Sequence, residues 1–294
     1  MTRFGCAASP NANFPRLYVE ADQLSAKYQR QHYSAVAIEL LGVMGACLIG
    51  LASASWPWAV YAREGLLLLA VAAALYHGLA TPEQTWYSLR SLAESLKTMS
   101  WRFSMRAEPY NVDDATAKRL FIDRVSELRK SNEKLFASVL NTSSSGLLIT
   151  PEMQSIRDLD ASERIRIYMA DRIDDQLAWY SDKAERNRCY AHGWTIALML
   201  ALVMALITAY SANGDSGSLL FEAFATLAMS LITWIESKRF VSLSAAYDLS
   251  AYEISALKEC FSTLIAQRSL SAAVADAEQA FSKEHTRWLS RVGS

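Results

Sequence analysis

The chain has 294 residues, of which 52% are hydrophobic and 20% are charged, and its formal net charge is −1. This near neutrality argues against a nucleic acid or another polyanion as a partner. The four scattered cysteines form no CxxC pair, which argues against a disulfide framework or a zinc site. Residues 1–16 lack the apolar core of a signal peptide and are predicted to form a flexible N-terminus.

Four apolar segments are close to the length of about 20 residues that a membrane-spanning helix needs. They cover residues 34–53, about 57–79, 193–210 and 218–235. Four such segments, paired across short connections, are too many for the core of a soluble bundle of this size. We therefore predict an all-α integral membrane protein, with four transmembrane helices as two helical hairpins extended into long cytoplasmic helices.

The positive charges predict the orientation of these hairpins. On the side of the connection between the first two spans only Arg63, near the start of the second span, is basic, and residues 211–217 between the last two contain no Lys or Arg. The opposite ends are flanked by Arg16, Lys27, Arg30, Arg90, Lys97, Arg102, Lys183, Arg186, Arg188, Lys238 and Arg239. The positive-inside rule then places both termini and the long middle segment in the cytoplasm.

Small residues recur every four positions on the first span. Gly42, Ala46 and Gly50 form a ridge that lets two helix backbones approach closely. We predict that this ridge packs against another helix, either within one subunit or between subunits.

Three acidic residues, Glu39, Glu64 and Glu222, lie within the predicted spans. A carboxylate in a bilayer usually faces a bundle interior or a water path. Glu39 and Glu222 are candidates for lining a cation path, although Glu39 is also explained by a hydrogen bond within the bundle. For Glu64, pairing with Arg63 at the membrane interface is the preferred interpretation.

Residues 111–140 are predicted to form a cytoplasmic heptad helix, capped by Asp113 or Asp114. Its candidate oligomer seam consists of Val125, Leu128, Asn132 and Leu135. One apolar stripe on a cytoplasmic bundle helix explains the pattern equally well. The Ser-rich residues 141–152, which include Pro151, are predicted to be a linker.

The second half of the chain has the pattern of one very long helix. Asp160 and Glu163 form a capping box, and an apolar stripe follows with no proline after residue 151. An unbroken helix from about 161 to 210 would be about 75 Å long, of which about 30 Å fits in hydrocarbon. The predicted membrane-boundary junction consists of Trp179, Tyr180, Lys183, Arg186, Arg188, Lys238 and Arg239.

The two hairpins also repeat in sequence. The tripeptide DQL occurs at 22–24 and again at 175–177, and YSLRSLAESL at 87–96 aligns with VSLSAAYDLS at 241–250. Two anchors with nearly the same offset, on opposite sides of a hairpin, indicate duplication of one unit. The copies are predicted at 17–110 and 153–294.

Both copies resemble a known family. The resemblance is carried by three features of the second copy: DDQLAWYSDKAERNR before a span, a second span ending in ITWIESKRF, and a long following helix. They are similar to SLATT domains, two-span effector domains associated with SMODS nucleotidyltransferases and SLOG sensors in bacterial conflict systems. The copy at about 160–291 matches the pattern better than the copy at 17–110, where Ala26 and Lys27 replace the Trp179 and Tyr180 of the second.

The resemblance implies an oligomeric membrane effector of the bacterial inner membrane, pore-forming or membrane-disrupting, in antiphage defence by abortive infection. The implied partners are the lipid bilayer, further copies of the chain, and a cytoplasmic nucleotide-sensing or signal-producing protein that gates the effector. A membrane-embedded sensor or scaffold that recruits a cytosolic effector, or a small ion channel or transporter, remains the alternative.

The sequence contains no catalytic pattern. His32, His77, His192 and His285 are isolated from one another, and no HExxH, GxSxG or P-loop motif is present. We therefore expect a protein that is not an enzyme, with no cofactor and no metal.

Overall fold

The computed structural model describes residues 14–52, 56–140, 147–211, 215–267 and 269–292. Nearly all of the predicted flexible N-terminus and about half of the predicted linker lie outside these residues. The helices are α1 (Arg16–Ala52), α2 (Trp58–Ala80), α3 (Pro82–Ser104), α4 (Asp114–Ser131), α5 (Glu133–Leu140), α6 (Pro151–Asp158), α7 (Ala161–Tyr168), a π-helical stretch (Met169–Asp174), α8 (Asp175–Ser211), α9 (Asp215–Lys238), α10 (Phe240–Gln267) and α11 (Leu270–Val292). No strand occurs among the described residues, so the all-α prediction is confirmed.

Four helical stretches are long and apolar enough to cross a membrane: Arg16–Gly50, Trp58–Ala80, Ala161–Ser211 and Leu219–Phe261. Each overlaps one predicted span. The prediction of four transmembrane helices in two hairpins is therefore confirmed. Only the second stretch is close to the length that hydrocarbon requires, so the other three extend well beyond the membrane.

The chain divides into two compact units. The membrane unit comprises Tyr28–Glu83 and Lys183–Ala246, and the extramembrane unit comprises Met1–Lys27, Gln84–Asp182 and Tyr247–Ser294. Each predicted sequence copy thus supplies one hairpin to the membrane unit and its flanking helices to the other.

Aromatic side chains form the centre of the extramembrane unit. The Trp101 ring lies 5.2 Å from the Phe14 ring and 5.6 Å from the Tyr168 ring, and Tyr168 in turn stacks on Phe261 at 5.6 Å. Trp101, Tyr168 and Phe261 are almost completely buried. These contacts join helices that are distant in sequence, because α3, α7 and α10 each contribute one ring.

A buried arginine fixes the segment between α3 and α4. The Arg157 Nε donates to Asp114 Oδ1 at 2.9 Å, and its Nη1 and Nη2 donate to the carbonyl oxygens of Phe103 and Val112 at 2.9 and 3.0 Å. The same guanidinium lies over the Phe103 ring. The hydrogen bond from Arg157 holds the pKa of Asp114 below its usual value.

The structure contains the long helix that the sequence predicts for the second half of the chain, with one departure from regular α-helical geometry. The Asp160 side chain accepts a hydrogen bond from the Glu163 N–H at 2.9 Å, and helical structure then continues from Ala161 to Ser211 over 51 residues. Residues Met169–Asp174 are π-helical. Such a bulge inserts one residue into the helix and shifts the face that the following side chains present.

The predicted heptad helix at 111–140 is two helices in the structure. Asp113 caps α4 by accepting from the Thr116 N–H at 3.0 Å, and α4 ends at Ser131. Asn132 interrupts the helix, since its side chain donates to the Leu128 carbonyl at 3.1 Å and its N–H to the Arg129 carbonyl. Asparagine favours such local bonds, which compete with the regular helical pattern.

Candidate functional site

The first hairpin packs through the predicted small-residue ridge. Gly42 and Ala46 are buried, and a Cβ at Gly42 would lie 3.0 Å from both the Ala70 Cβ and the Leu66 carbonyl oxygen. A Cβ at Gly45 would lie 3.1 Å from the Leu66 side chain. At Gly42 the ridge of α1 therefore faces α2 of the same chain at a distance that leaves little room for a larger side chain, whereas a Cβ at Gly50 would meet only the Arg63 Cδ at 3.9 Å.

The second hairpin uses alanines in the same way. Ala201, Ala228 and Leu231 form its buried cluster, with Ala197 and Leu227 among the partly buried residues around it. Ala205, four residues beyond Ala201, is buried as well. The alanines on α8 thus recur every four residues, which is the spacing of the ridge on α1.

Aromatic side chains and a lysine connect the two hairpins. They lie at the ends of the spans that are opposite the short hairpin turns. The Lys238 Nζ lies 3.2 Å from the centre of the Tyr33 ring and 4.7 Å from that of Trp234. The Trp234 ring also lies 6.1 Å from the Trp194 ring. A cation over aromatic faces stabilises this contact between α1 and α9.

The three intramembrane acids occupy different environments. Glu39 is half-buried, whereas Glu64 and Glu222 are exposed on the surface of the single chain. Among the described residues, Glu64 makes no ion pair with Arg63, so the interface pair expected for it does not form. Only 6% to 22% of the most apolar window of each candidate span is buried. A single chain therefore leaves most of its spanning surface, including two carboxylates, to be covered by lipid, water or another copy.

The predicted junction residues lie where the spans continue into other helices. In the extramembrane unit, the Tyr247 ring lies 5.6 Å from Trp179 and 5.9 Å from Tyr180. In the membrane unit, the Ser244 hydroxyl donates to the Ala184 carbonyl at 3.0 Å. These contacts pair α8 with α10.

The basic junction residues range from half-buried to exposed. Lys183 is half-buried, and Arg186 and Arg188 are exposed. Arg239 has a positive φ of 49° and separates α9 from α10. A single left-handed residue at this position interrupts the long helix that the sequence suggests after the fourth span.

The seam candidates do not share one surface. Val125 is buried inside the chain, and Leu135 is half-buried. Leu128 and Asn132 line a cavity of about 460 Å³, together with residues of α3 such as Tyr87 and Ser91. Self-association through this seam stays a prediction.

A buried charged cluster surrounds the π-helical stretch. The Arg172 guanidinium donates to both Glu278 carboxylate oxygens at 2.8 Å, and the Tyr168 hydroxyl donates to Oε1 of the same carboxylate at 3.0 Å. The Phe281 ring lies 4.5 Å from the guanidinium carbon. Arg172 and Glu278 are 1% and 0% exposed. α11 is thereby attached to the helix that leads into the third span.

Lys97 is a further buried charge in this unit. Burial, with the positive charge of Arg172 nearby, lowers the pKa of Lys97 to about 8. In the sequence Lys97 is only one of the positive charges that predict orientation, because its burial depends on helices that lie far away in the chain.

Two histidines that are isolated in the sequence meet in the fold. The His77 Nε2 lies 3.1 Å from the His32 Nδ1, across α1 and α2. The linear sequence gives no local sign of this pair. The sequence feature that could have revealed the pair is the order of the spans. In an antiparallel hairpin the start of the first span lies beside the end of the second span.

Four membrane-crossing helices in two hairpins, each continued by long helices outside the membrane, define a multi-pass all-α membrane protein. Residues 15–165 match the family model described as SMODS and SLOG-associating 2TM effector domain 3, and residues 168–288 match effector domain 1 of the same series. The chain belongs to the SLATT family and carries two of its domains in tandem, as the sequence predicted. No curated protein and no solved structure matches it.

Proposed function

We propose that the chain is an oligomeric membrane effector that makes the bacterial inner membrane permeable to ions when a cytoplasmic signal displaces its extramembrane helices. The effector domains that both halves match support a membrane effector role. The proposal of ion permeation rests on Glu64 and Glu222, whose side chains are exposed on the surface of the membrane unit.

Carboxylates within a bilayer avoid hydrocarbon and face a protein interior or water. A single chain offers Glu64 and Glu222 neither a protein interior nor an enclosed water path, because both side chains lie on its outer surface. Several copies, arranged with these carboxylates towards a common axis, would shield them from lipid and surround them with water. A path lined by carboxylates attracts cations, so the proposed pore is cation-selective.

The helix from Ala161 to Ser211 supports the proposed gating. It runs without a break from the Arg172 and Glu278 ion pair of the extramembrane unit into the third span. A continuous helix transmits displacement with little loss, so a force on its outer part moves the span. The proposed source of that force is a cytoplasmic nucleotide-sensing or signal-producing protein, in keeping with the SMODS and SLOG association in the family description.

In this scheme both termini lie in the cytoplasm, as the positive charges beside the spans suggest. Loss of the membrane potential would arrest an infected cell before phage release. The proposed biological role is therefore antiphage defence by abortive infection.

The test is inducible expression in bacteria with a potential-sensitive dye, for the chain alone and together with its neighbouring genes. We expect depolarisation with the wild type and a weaker response with Glu64→Gln and Glu222→Gln. The control is Glu152→Gln, an exposed glutamate of α6 in the extramembrane unit. Normal potential under every condition, with the protein verified in the membrane, would contradict ion permeation.

A further inference from the structure

The histidine pair of the first hairpin lies beside a carboxylate. His32 belongs to α1 and is 4% exposed, whereas His77 and Glu83 are half-buried. The ligand atoms of His32, His77 and Glu83 all lie within 4.8 Å of one another. Three residues from three helices thus converge at one end of the hairpin.

The local backbone brings the third residue to the pair. α2 ends at Ala80, and Thr81 takes a left-handed conformation with φ of 40°. α3 then begins at Pro82, so Glu83 lies in its first turn. A left-handed residue followed by proline ends one helix and starts the next within a few residues. This short connection places the Glu83 carboxylate beside the His77 imidazole.

We propose that His32, His77 and Glu83 bind one divalent transition-metal ion, with zinc as the best candidate. Two imidazole nitrogens and one carboxylate oxygen are a common ligand set for zinc. Two ligand atoms on a tetrahedral zinc, with bonds of about 2.0–2.1 Å, are separated by about 3.3 Å. The two imidazole nitrogens are 3.1 Å apart, close to that separation.

The ligand set also selects among metals. Magnesium and calcium prefer sites made of oxygen atoms, whereas imidazole suits zinc, copper, nickel and cobalt. Three protein ligands leave the fourth position of a tetrahedral ion for water. The Glu83 carboxylate offsets part of the ion's charge, and the Lys238 ammonium, a cation near His32, lies against the Tyr33 ring.

Bound metal would join α1, α2 and α3 at the point where the first hairpin leaves its spans. Each of these helices contributes one ligand, and Thr81 is the backbone joint between α2 and α3. The ion would therefore stabilise the membrane unit, independently of whether the assembled protein conducts ions.

The test uses the full-length protein, purified in detergent with a tag that contains no histidine and stripped with a chelator. Zinc is then added and unbound metal removed, and the remaining zinc is measured by elemental analysis. Cobalt in place of zinc gives an absorption spectrum that reports tetrahedral coordination. The variants are His77→Ala and Glu83→Gln, and the control is His192→Ala, an exposed histidine of α8.

We expect about one zinc per wild-type chain, a tetrahedral cobalt spectrum, and a melting temperature that rises with zinc. Both ligand variants should lose zinc affinity by at least about tenfold, since even outer-shell changes cost 10- to 100-fold. Glu83→Gln keeps the histidine pair and the side-chain shape, so it distinguishes loss of a ligand from misfolding. The proposal is overturned if the wild type retains no zinc, or if Glu83→Gln binds zinc as the wild type does. It is also overturned if His192→Ala loses as much zinc as the ligand variants.

Discussion

The Arg172 guanidinium and the Glu278 carboxylate form a two-point ion pair, with both N···O distances at 2.8 Å and both side chains buried. Arg172 lies in the π-helical stretch of the long helix, and Glu278 lies in α11. Tyr168, Arg172 and Ile173 are all buried in this part of the helix. Within the extramembrane unit, the pair thereby holds α11 against the π-helical stretch.

Removing one partner of this pair should destabilise the protein strongly. In Glu278→Leu the Arg172 charge stays buried without its counter-ion, which typically costs about 3–5 kcal/mol. We expect a lower melting temperature in detergent, measured by tryptophan fluorescence. The double variant Arg172→Met with Glu278→Leu replaces the pair with apolar side chains and should recover most of the loss. Equal melting temperatures for the single variant and the wild type would contradict a structural role for the pair.

Replacing Lys97 with an apolar side chain should have the opposite effect. Its pKa falls from 10.5 to about 8 in the folded protein, so the buried charge opposes folding by about 3 kcal/mol below pH 8. Lys97→Met should therefore raise the unfolding free energy at pH 7.

The pH dependence provides the check. Between pH 8 and 10.5 the unfolded chain binds more protons at Lys97 than the folded chain does, so wild-type stability rises with pH relative to the variant. The advantage of Lys97→Met should disappear near pH 10.5. Lys118→Met, at an exposed position of α4, should show no such trend. If the stability difference between Lys97→Met and the wild type stayed constant with pH, it would arise from packing or hydrogen bonding rather than from the buried charge.

The close approach in the first hairpin should not tolerate a large side chain. Gly42→Leu places atoms where Ala70 and the Leu66 carbonyl already lie at 3.0 Å from a Cβ, and overpacking of this kind costs about 1–3 kcal/mol. Gly65→Leu, on α2 of the same hairpin, meets no atom within 4 Å of the added Cβ. Thermal unfolding in detergent should show a clear loss for Gly42→Leu and little change for Gly65→Leu. Similar melting curves for the two variants would contradict close packing of α1 against α2 at Gly42.

The proposed arrangement of several copies predicts a cross-link at Glu222. With Cys6, Cys47, Cys189 and Cys260 replaced by serine or alanine, Glu222→Cys should form disulfide-linked dimers when membranes are oxidised. Phe221→Cys is the matched control, because this neighbouring residue is also exposed but lies about 100° further around the helix. Dimer formation is read from a non-reducing gel. Equal cross-linking at both positions would argue against carboxylates that converge on an axis.

Much of the architecture was predictable because it follows from regular patterns. The apolar segments, the absence of proline after residue 151 and the capping box at Asp160 were sufficient to predict the hairpins and the long third helix. The family was recognisable from DDQLAWYSDKAERNR and its surroundings. Each of these signals is local or periodic, so it can be read without knowing which helices are neighbours.

The features that escaped prediction depend on tertiary contacts. The heptad pattern at 111–140 did not reveal that Asn132 would use its side chain to end α4. The π-helical stretch is stabilised by Glu278, more than a hundred residues away, and no local signal marks it. His32 and His77 are brought together only by the register of the first hairpin.

Patch-clamp recording from giant spheroplasts measures ion permeation through the membrane unit directly. The cells express the chain together with its neighbouring genes, and the protein is verified in the inner membrane. We expect discrete current steps carried mainly by cations, absent without induction and less cation-selective in Glu222→Gln. Silent patches from cells whose growth the protein has arrested would contradict it, because toxicity would then arise without an ion path through the membrane unit.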